Sequence, residues 1–424
     1  VSPTFRSLRN RNYRIYYIGG VVSNVGTWMQ RIAQDWLVIQ LADNDGVALG
    51  ITTGLQFLPM LLLGPWGGML ADRYSKRKLL ILTQAFMGVT AIVLGVLDLT
   101  GMVAVWHVFV LAALLGLGTA LDNPTRQSFV VEMVGPDDLP NAVGLNSASF
   151  NLGRVIGPAL AGLLIEVFDT GPVFIINGLS FLAVIAALLR MRTDELDPAP
   201  RAGRGPGQVL EGIRYVRGRP DLVMVLALVF FVGTFGMNFQ LTTALMATEV
   251  FGKGAGEFGL LGSIMAIGSL TGALLAASRG RPRLRLVLGA AFAFGVVEVV
   301  AGLMPTYATF AVALVPVGVT SLTFITAANA TVQLAVDPVM RGRVMALYMA
   351  VFMGGTPIGA PLVGALAEAF GARWSLLAGG LVSATAAVVC AVLLARRSGI
   401  ELRGQLREMS RQRIGSDSVV ESVR

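Results

Sequence analysis

The run Gly67-Gly-Met-Leu-Ala-Asp-Arg-Tyr-Ser-Lys-Arg-Lys78 separates two long apolar stretches, one starting near Val47 and the next at Leu79. Its twelve residues hold two glycines, one acid and four bases. Each flanking stretch is long enough to cross a bilayer, so a break this short is a hairpin loop on one membrane face. Taken alone, Gly68, Asp72, Arg73, Arg77 and Lys78 make only a basic loop. If the loop joins two membrane helices, the rest of the chain belongs in lipid.

Composition agrees. Of 424 residues, 54% are hydrophobic and 14% charged, with a mean hydropathy of +0.71. Soluble domains carry about 25% charged residues, so one water-soluble core cannot absorb this much apolar surface. A net charge of +8 raises the question of nucleic acid, but the placement of the bases answers it differently. The single cysteine, Cys390, forbids an internal disulfide and a cysteine metal site, and the single histidine, His107, forbids a multi-histidine one. No metal and no cofactor are expected.

Twelve segments have the length and apolarity of spans: 16–41, 47–70, 79–99, 104–125, 141–165, 173–189, 222–247, 257–277, 286–304, 307–335, 343–367 and 374–395. The first follows a basic N-terminus, as a signal peptide would. At about 26 residues, with no small-residue cleavage site, it reads as a retained helix. The runs are continuous and far longer than the roughly ten-residue alternating segments of a β-barrel, so the class is all-α. Of 33 Lys and Arg, 29 fall in the segments on one side of the twelve crossings, two (Lys253 and Arg373) on the other, and two (Arg31 and Arg154) within spans. This bias predicts cytoplasmic termini in a multi-pass inner (plasma) membrane protein. It explains the basic charge through the lipid bilayer, with no nucleic-acid partner.

The longest connection, 191–221, begins rich in Pro and Gly and then places Val209, Ile213 and Val216 at helical spacing, a flexible link followed by a short surface helix. It divides the chain into a six-helix half over 1–190 and a second over 222–395, with a cytoplasmic tail over 396–424. Leu402, Leu406 and Met409 of that tail fall at the spacing of a surface helix. The halves resemble each other. A shift of 202 residues lays Gly153, Ile156, Gly157, Gly162, Glu166 and Phe168 on Gly355, Ile358, Gly359, Gly364, Glu368 and Phe370. Two parallel repeats of this kind place a cavity between the halves near the midplane.

The spacing Gly68-x-x-x-Asp72-Arg73-x-x-x-Arg77-Lys78 resembles motif A of the major facilitator superfamily, with Ser75 where glycine is usual. Gly153-Arg-Val-Ile-Gly157-Pro158-Ala-Leu-Ala-Gly162 resembles motif C, the signature of that superfamily's drug and metabolite antiporters, with Ala161 in place of a glycine. Glycines four apart open a groove for a neighbouring helix, and Pro158 removes a backbone bond and bends its own. The strings Ser23-Asn-Val-Gly-Thr-Trp-Met-Gln30, Asn123-Pro-Thr-Arg-Gln127 and Arg341-Gly-Arg-Val344 are similar to the branch containing the enterobactin exporter. The resemblance implies two pseudo-symmetric six-helix bundles and proton-coupled export of a small amphipathic molecule by alternating access, in a protein expected to act as a monomer. It also implies an inner gate in which Asp72, Arg73 and Arg77 join Asp122, Arg126 and Arg341. The Arg and Gln of motif B are not evident in the fourth helix. An importer or facilitator, and a non-transporting receptor, are the alternatives. No nucleophile, base and orienting group fall together as an enzyme would need, and no phosphate-binding loop points to ATP.

Charges inside spans cost roughly 2.5–3.5 kcal/mol each at a helix centre, so each calls for a reason. Arg31 and Asp35 lie four apart on one helix face. Either they neutralise each other, or Asp35 looks across the cavity toward Arg154 and serves as a proton-coupling acid that a movable cation charges and releases. Glu298, in a helix the resemblance makes peripheral, reads as a packed or snorkelling acid. Trp28, Gln34, Asn238, Gln240, Asn329 and Gln333 are candidate substrate-cavity groups; helix–helix hydrogen bonds account for the amides equally well.

Overall fold

The computed structural model describes residues 3–197, 208–277 and 282–396. The flexible part of the expected linker and the tail with Leu402, Leu406 and Met409 lie outside the described residues. So do the surroundings of Gly68 and Asp72.

Among the described residues, twelve long helices make up the two halves, consistent with twelve membrane spans. In the first half these are α1 (Arg11–Leu41), α2 (Gly46–Arg73), α3 (Lys76–Leu99), α4 (105–134), α5 (136–168) and α6 (Thr170–Leu189). In the second they are α7 (Pro220–Val250), α8 (Ala255–Ala277), α9 (Leu284–Gly302), α10 (Tyr307–Ala335), α11 (Pro338–Phe370) and α12 (Arg373–Arg396). We call the face where α1 begins and α12 ends the terminal face, and the opposite one the distal face.

Local chemistry sets the helix ends. Asn10 accepts from Tyr13 N at 3.0 Å to start α1. Asp45 accepts from Val47 N at 2.7 Å and Ala48 N at 3.1 Å to start α2. Two observed elements differ from the sequence expectation. Helices α4 and α5 run on to meet at Gly135, whose φ of 71° makes the corner directly before Pro136. Phe129, Val130 and Met133 pack with Tyr13 and Leu188 and hold the extension of α4 in place. Helix α7, expected as one continuous span, passes through a π-turn at Val232–Gly236 and leaves helical geometry at Met237 and Asn238. Asn238 Nδ2 donates to Thr234 O at 2.7 Å, so a side chain competes with the backbone ladder at that point.

The repeat aligned in the sequence is a repeat in packing. Gly153 and Gly157 of α5 lie against α1, at Asn24, Val25 and Trp28. Their counterparts Gly355 and Gly359 of α11 lie against α7 at Thr234. Gly162 of α5 then meets Ala255 and Gly256 at the start of α8, and Gly364 of α11 meets Gly46 at the start of α2. Each glycine allows backbone-to-backbone approach, which lipid-embedded helices need because apolar surface alone does not drive them together. The cross-bundle pairs α2–α11 and α5–α8 therefore close the molecule in its distal half. Toward the terminal face, Trp66, Tyr74, Val339 and Met349 on the same two helices α2 and α11 are exposed.

The short helix Gln208–Arg217 joins the halves and docks on α11. Arg343 pairs with Glu211 at 2.9 Å, Tyr215 Oη donates to Asp337 Oδ2 at 2.9 Å, and Val216 is buried.

Candidate functional site

A cavity of about 200 Å³ lies between the bundles. Six helices wall it: α1 with Trp28 and Ile32, α2 with Thr53 and Phe57, α5 with Arg154 and Pro158, α7 with residues 237–241 and Thr243, α8 with Phe258, Gly262 and Met265, and α11 with Thr356. The α7 interruption supplies the cavity's own stretch of irregular backbone. Such backbone is tolerated at membrane depth where it lines a cavity.

The wall is apolar, with one cation, Arg154, and the amides of Asn238 and Gln240. The Arg31 guanidinium stands 4.7 Å from the Trp28 ring centroid and 5.6 Å from that of Phe57. It therefore lies over aromatic faces, and its Nε has no hydrogen-bond partner. Asp35, one turn further on, is 4% exposed, and its Oδ2 is likewise unpartnered. The two charges face the same helix side without forming a direct ion pair. Arg154 does not turn toward Asp35. Its Nη2 donates to Ser269 Oγ of α8 at 3.0 Å, across the bundle interface. Asn238 and Gln240 line the cavity as expected, and Asn238 Oδ1 is a buried acceptor without a donor.

Three of the expected cavity groups stand elsewhere. Gln34 is 1% exposed and lines neither cavity described here. Asn329 and Gln333 bond to each other, Nε2 to Oδ1 at 2.6 Å, near the terminal end of α10. A hydrogen bond along one helix face satisfies them, and helix spacing alone does not reveal which face looks inward.

The motif C residues act as packing elements. Pro158 sits against Gly259 and Gly262 of α8. Beside it, Ser263 Oγ of α8 donates to Val155 O at 2.6 Å and accepts from Ala159 N at 3.1 Å. A hydroxyl from the other bundle thus enters the helical ladder one residue after the proline. Ser263 and Ser269 were not singled out in the sequence, because lone serines in a Gly-rich helix carry no pattern.

A second cavity of about 220 Å³ lies within the first bundle, among α1 to α6. Arg31 borders this one, with Asn24, Gln56, Asn123, Asn146 and the pair Asp122–Arg126. Asp122 is saturated: Oδ1 accepts from Thr83 Oγ1 and Gln84 Nε2, both at 2.8 Å, and Oδ2 from Arg126 Nη2 at 2.9 Å and Nε at 3.1 Å.

Of the expected gate residues, Asp122 and Arg126 pair with each other, and among the described residues Arg73, Arg77 and Arg341 join neither of them. Arg73 and Arg341 are exposed and make no ion pair among the described residues. Arg77 donates to the carbonyls of Leu188 at 2.6 Å and Leu189 at 3.2 Å, closing the end of α6. Lys76 pairs with Glu132 of α4. The loop that opened the sequence reading is bound to its own bundle. Glu298 is not a snorkelling acid: it is 0% exposed.

Two six-helix bundles related by a sequence repeat, closed at one end around a central cavity, define a transporter of the major facilitator superfamily. A macrolide efflux protein A of Streptococcus pyogenes is 25% identical over 85% of this chain and 91% of its own length. A multidrug efflux pump, Tap, of Mycolicibacterium fortuitum is 28% identical over 90% of this chain and 95% of its own. A staphyloferrin A transporter of Staphylococcus aureus matches at 26% identity over 59% of this chain, which is 63% of that protein. Among solved structures, an inward-facing, unoccupied bacterial homologue of the lysosomal transporter Spinster shares the fold, with a TM-score of 0.75 and 16% identity over 95% of this chain and 98% of its own. The chain belongs to the transmembrane secretion effector family, whose model matches residues 2–419.

Proposed function

We propose that the protein exports small amphipathic molecules from the cytoplasm across the plasma membrane in exchange for protons, opening its cavity alternately to either face. The observation that carries this reading is Asp35, a buried acid with an unpartnered oxygen, one turn from Arg31, which borders the first-bundle cavity and lies over Trp28 and Phe57 of the central one. Protonation and release at such a site changes the charge beside the cavity. The aromatic wall suits an apolar body and the arginines a polar or anionic group, a description that siderophores, antibiotics and drugs all meet. The efflux activities in the relatives' names favour export. The basic bias of the terminal face favours cytoplasmic termini. Asp72, Arg73, Arg77, Asp122, Arg126 and Arg341 then form the inner gate only in the outward-open state, and the conformation described here is the inward-open one.

A membrane potential of 100 mV contributes about 2.3 kcal/mol per charge moved, a gradient of about fiftyfold. The test uses everted membrane vesicles and a panel of amphipathic compounds, a macrolide among them. Uptake and proton release are recorded together. Wild-type uptake is expected to collapse with a protonophore, and Asp35→Asn to lose substrate-driven proton release. Proton release that persists in Asp35→Asn refutes the assignment of Asp35.

A further inference from the structure

Glu298 has no place in the mechanism so far. It lies on α9, outside the six helices that wall the central cavity. It is fully buried, and neither carboxyl oxygen has a hydrogen-bond partner. Among the described residues no cation pairs with it. Groups on three helices lie close to it. On α9 itself, Phe294 lies one turn away and packs beside Gly236 with it. On α7, a Cβ added at Gly236 would stand 3.1 Å from Glu298 Oε2. On α12, a Cβ at Gly379 would stand 3.1 Å from Glu298 Oε1, and Ser383 Oγ, beside Gly236, already donates to Gly379 O at 2.8 Å. None of these neighbours is titratable or charged. An ionised carboxylate without a partner does not persist in such a place; the group keeps a proton instead.

The position matters as much as the burial. Gly236 ends the π-turn of α7, and the next two residues, Met237 and Asn238, have left helical geometry and line the central cavity. Glu298 therefore lies behind the interrupted turn whose front is the cavity wall. Two more buried polar atoms on that stretch lack partners, Thr234 Oγ1 and Asn238 Oδ1. Thr234 is also the residue on which Gly355 and Gly359 of α11 pack. Thr234 Oγ1, Asn238 Oδ1 and the Glu298 carboxyl are thus buried polar groups with unused hydrogen-bonding capacity at and behind one interrupted turn, and each calls for a specific explanation.

We propose that Glu298 is a second proton-binding acid of the carrier, protonated in the conformation described here, and that the α7 interruption transmits its proton state to the cavity wall. Loss of the proton leaves a carboxylate that must gain a donor; the hydroxyls nearest along the chain and in space are those of Thr234 on α7 and Ser383 on α12, and Ser383 already donates to Gly379 O. The rearranged turn shifts Met237–Leu241, and with them the cavity. This inference rests on the transporter reading only for its consequence and does not require Asp35 to be the coupling acid.

The experiment uses the full chain in nanodiscs. Infrared difference spectra across a pH titration read protonated carboxyl groups directly. Spin labels at Tyr74→Cys and Val339→Cys, in a Cys390→Ser background, read the separation of the bundles at the terminal face; both positions are well exposed, at 64% and 81%. A protonated-carboxyl band is expected in the wild type at neutral pH. It should disappear in Glu298→Gln and shift in Glu298→Asp, the second variant guarding against a failure of the first to fold. The label separation should change with pH in the wild type and stay at its acid-pH value in Glu298→Gln. A band that survives Glu298→Gln, or a pH-dependent separation unchanged by it, overturns the proposal. If Asp35→Asn alone abolishes the pH dependence, the α1 acid stands and Glu298 falls. If Glu298→Gln alone abolishes it, the assignment of Asp35 falls and this one stands.

Discussion

Gly162 is the position at which the closed distal half can be forced open by a single methyl group. A Cβ there would lie 2.7 Å from Ala255 O, 3.0 Å from Gly256 Cα and 3.1 Å from Gly256 O. All three are backbone atoms of α8 in the opposite bundle, so no side chain can swing aside. The contact exists only while the distal half is closed. Gly162→Ala should therefore penalise this conformation and leave the distal-open one untouched. Overpacking of this kind costs typically about 1–3 kcal/mol, a shift of about 5–150-fold in the ratio of the two conformations. The gain in helix propensity from replacing glycine is common to both states and cancels. The assay is the label separation at Tyr74→Cys and Val339→Cys, which should shorten as the terminal face closes. Gly19→Ala is the control. Its Cβ would stand 2.9 Å from Ala183 O of α6, a similar clash inside one bundle, which should lower thermal stability without moving the labels. If Gly162→Ala behaves like Gly19→Ala, the cross-bundle contact does not govern the equilibrium and the reasoning fails.

Two further expectations concern the first bundle. Asp122→Ala leaves Arg126 without its buried partner and should cost about 3–5 kcal/mol, read as a clear fall in the melting temperature in detergent; melting like the wild type would mean that water already screens the pair. Arg77→Ala frees the carbonyls of Leu188 and Leu189, a loss of about 1–3 kcal/mol for hydrogen bonds from a charged donor. Amide hydrogen exchange in the last turn of α6 should rise while the distal half keeps its protection.

The sequence made the helices legible because bilayer thickness imposes one length on every span, and no competing structure satisfies the backbone in lipid. The repeat was legible for a related reason. Glycines mark where backbones touch, so Gly153, Gly157 and Gly162 reappear as Gly355, Gly359 and Gly364 wherever the packing is repeated. What stayed hidden depended on which neighbour a given face meets. The break in α7 reads in sequence as two more glycines in an apolar run. The π-turn at Val232–Gly236, the non-helical backbone of Met237 and Asn238 and the bond from Asn238 to Thr234 distinguish it from a continuous helix. Ser263 and Ser269 depend on the partner bundle for their meaning, and Gln34, Asn329 and Gln333 were placed at the cavity from helix membership without knowledge of rotation.

The duplication also explains why the two halves do not carry the same chemistry. Corresponding glycines first bind α5 to α1 and α11 to α7, then cross to α8 and α2, so the glycine framework of the closure surface is nearly symmetric. Among the described residues no ion pair crosses this surface; its charged contact is the Arg154–Ser269 hydrogen bond, which must break when α5 and α8 part. Selectivity between the two conformations then falls to the groups that differ between the halves. The first half places Arg31 and Asp35 on an intact α1; the second places Glu298 behind an interrupted α7. One half keeps its charge on a rigid helix. The other keeps its buried acid beside the segment of the cavity wall that leaves helical geometry, and there a single proton has the most backbone to move.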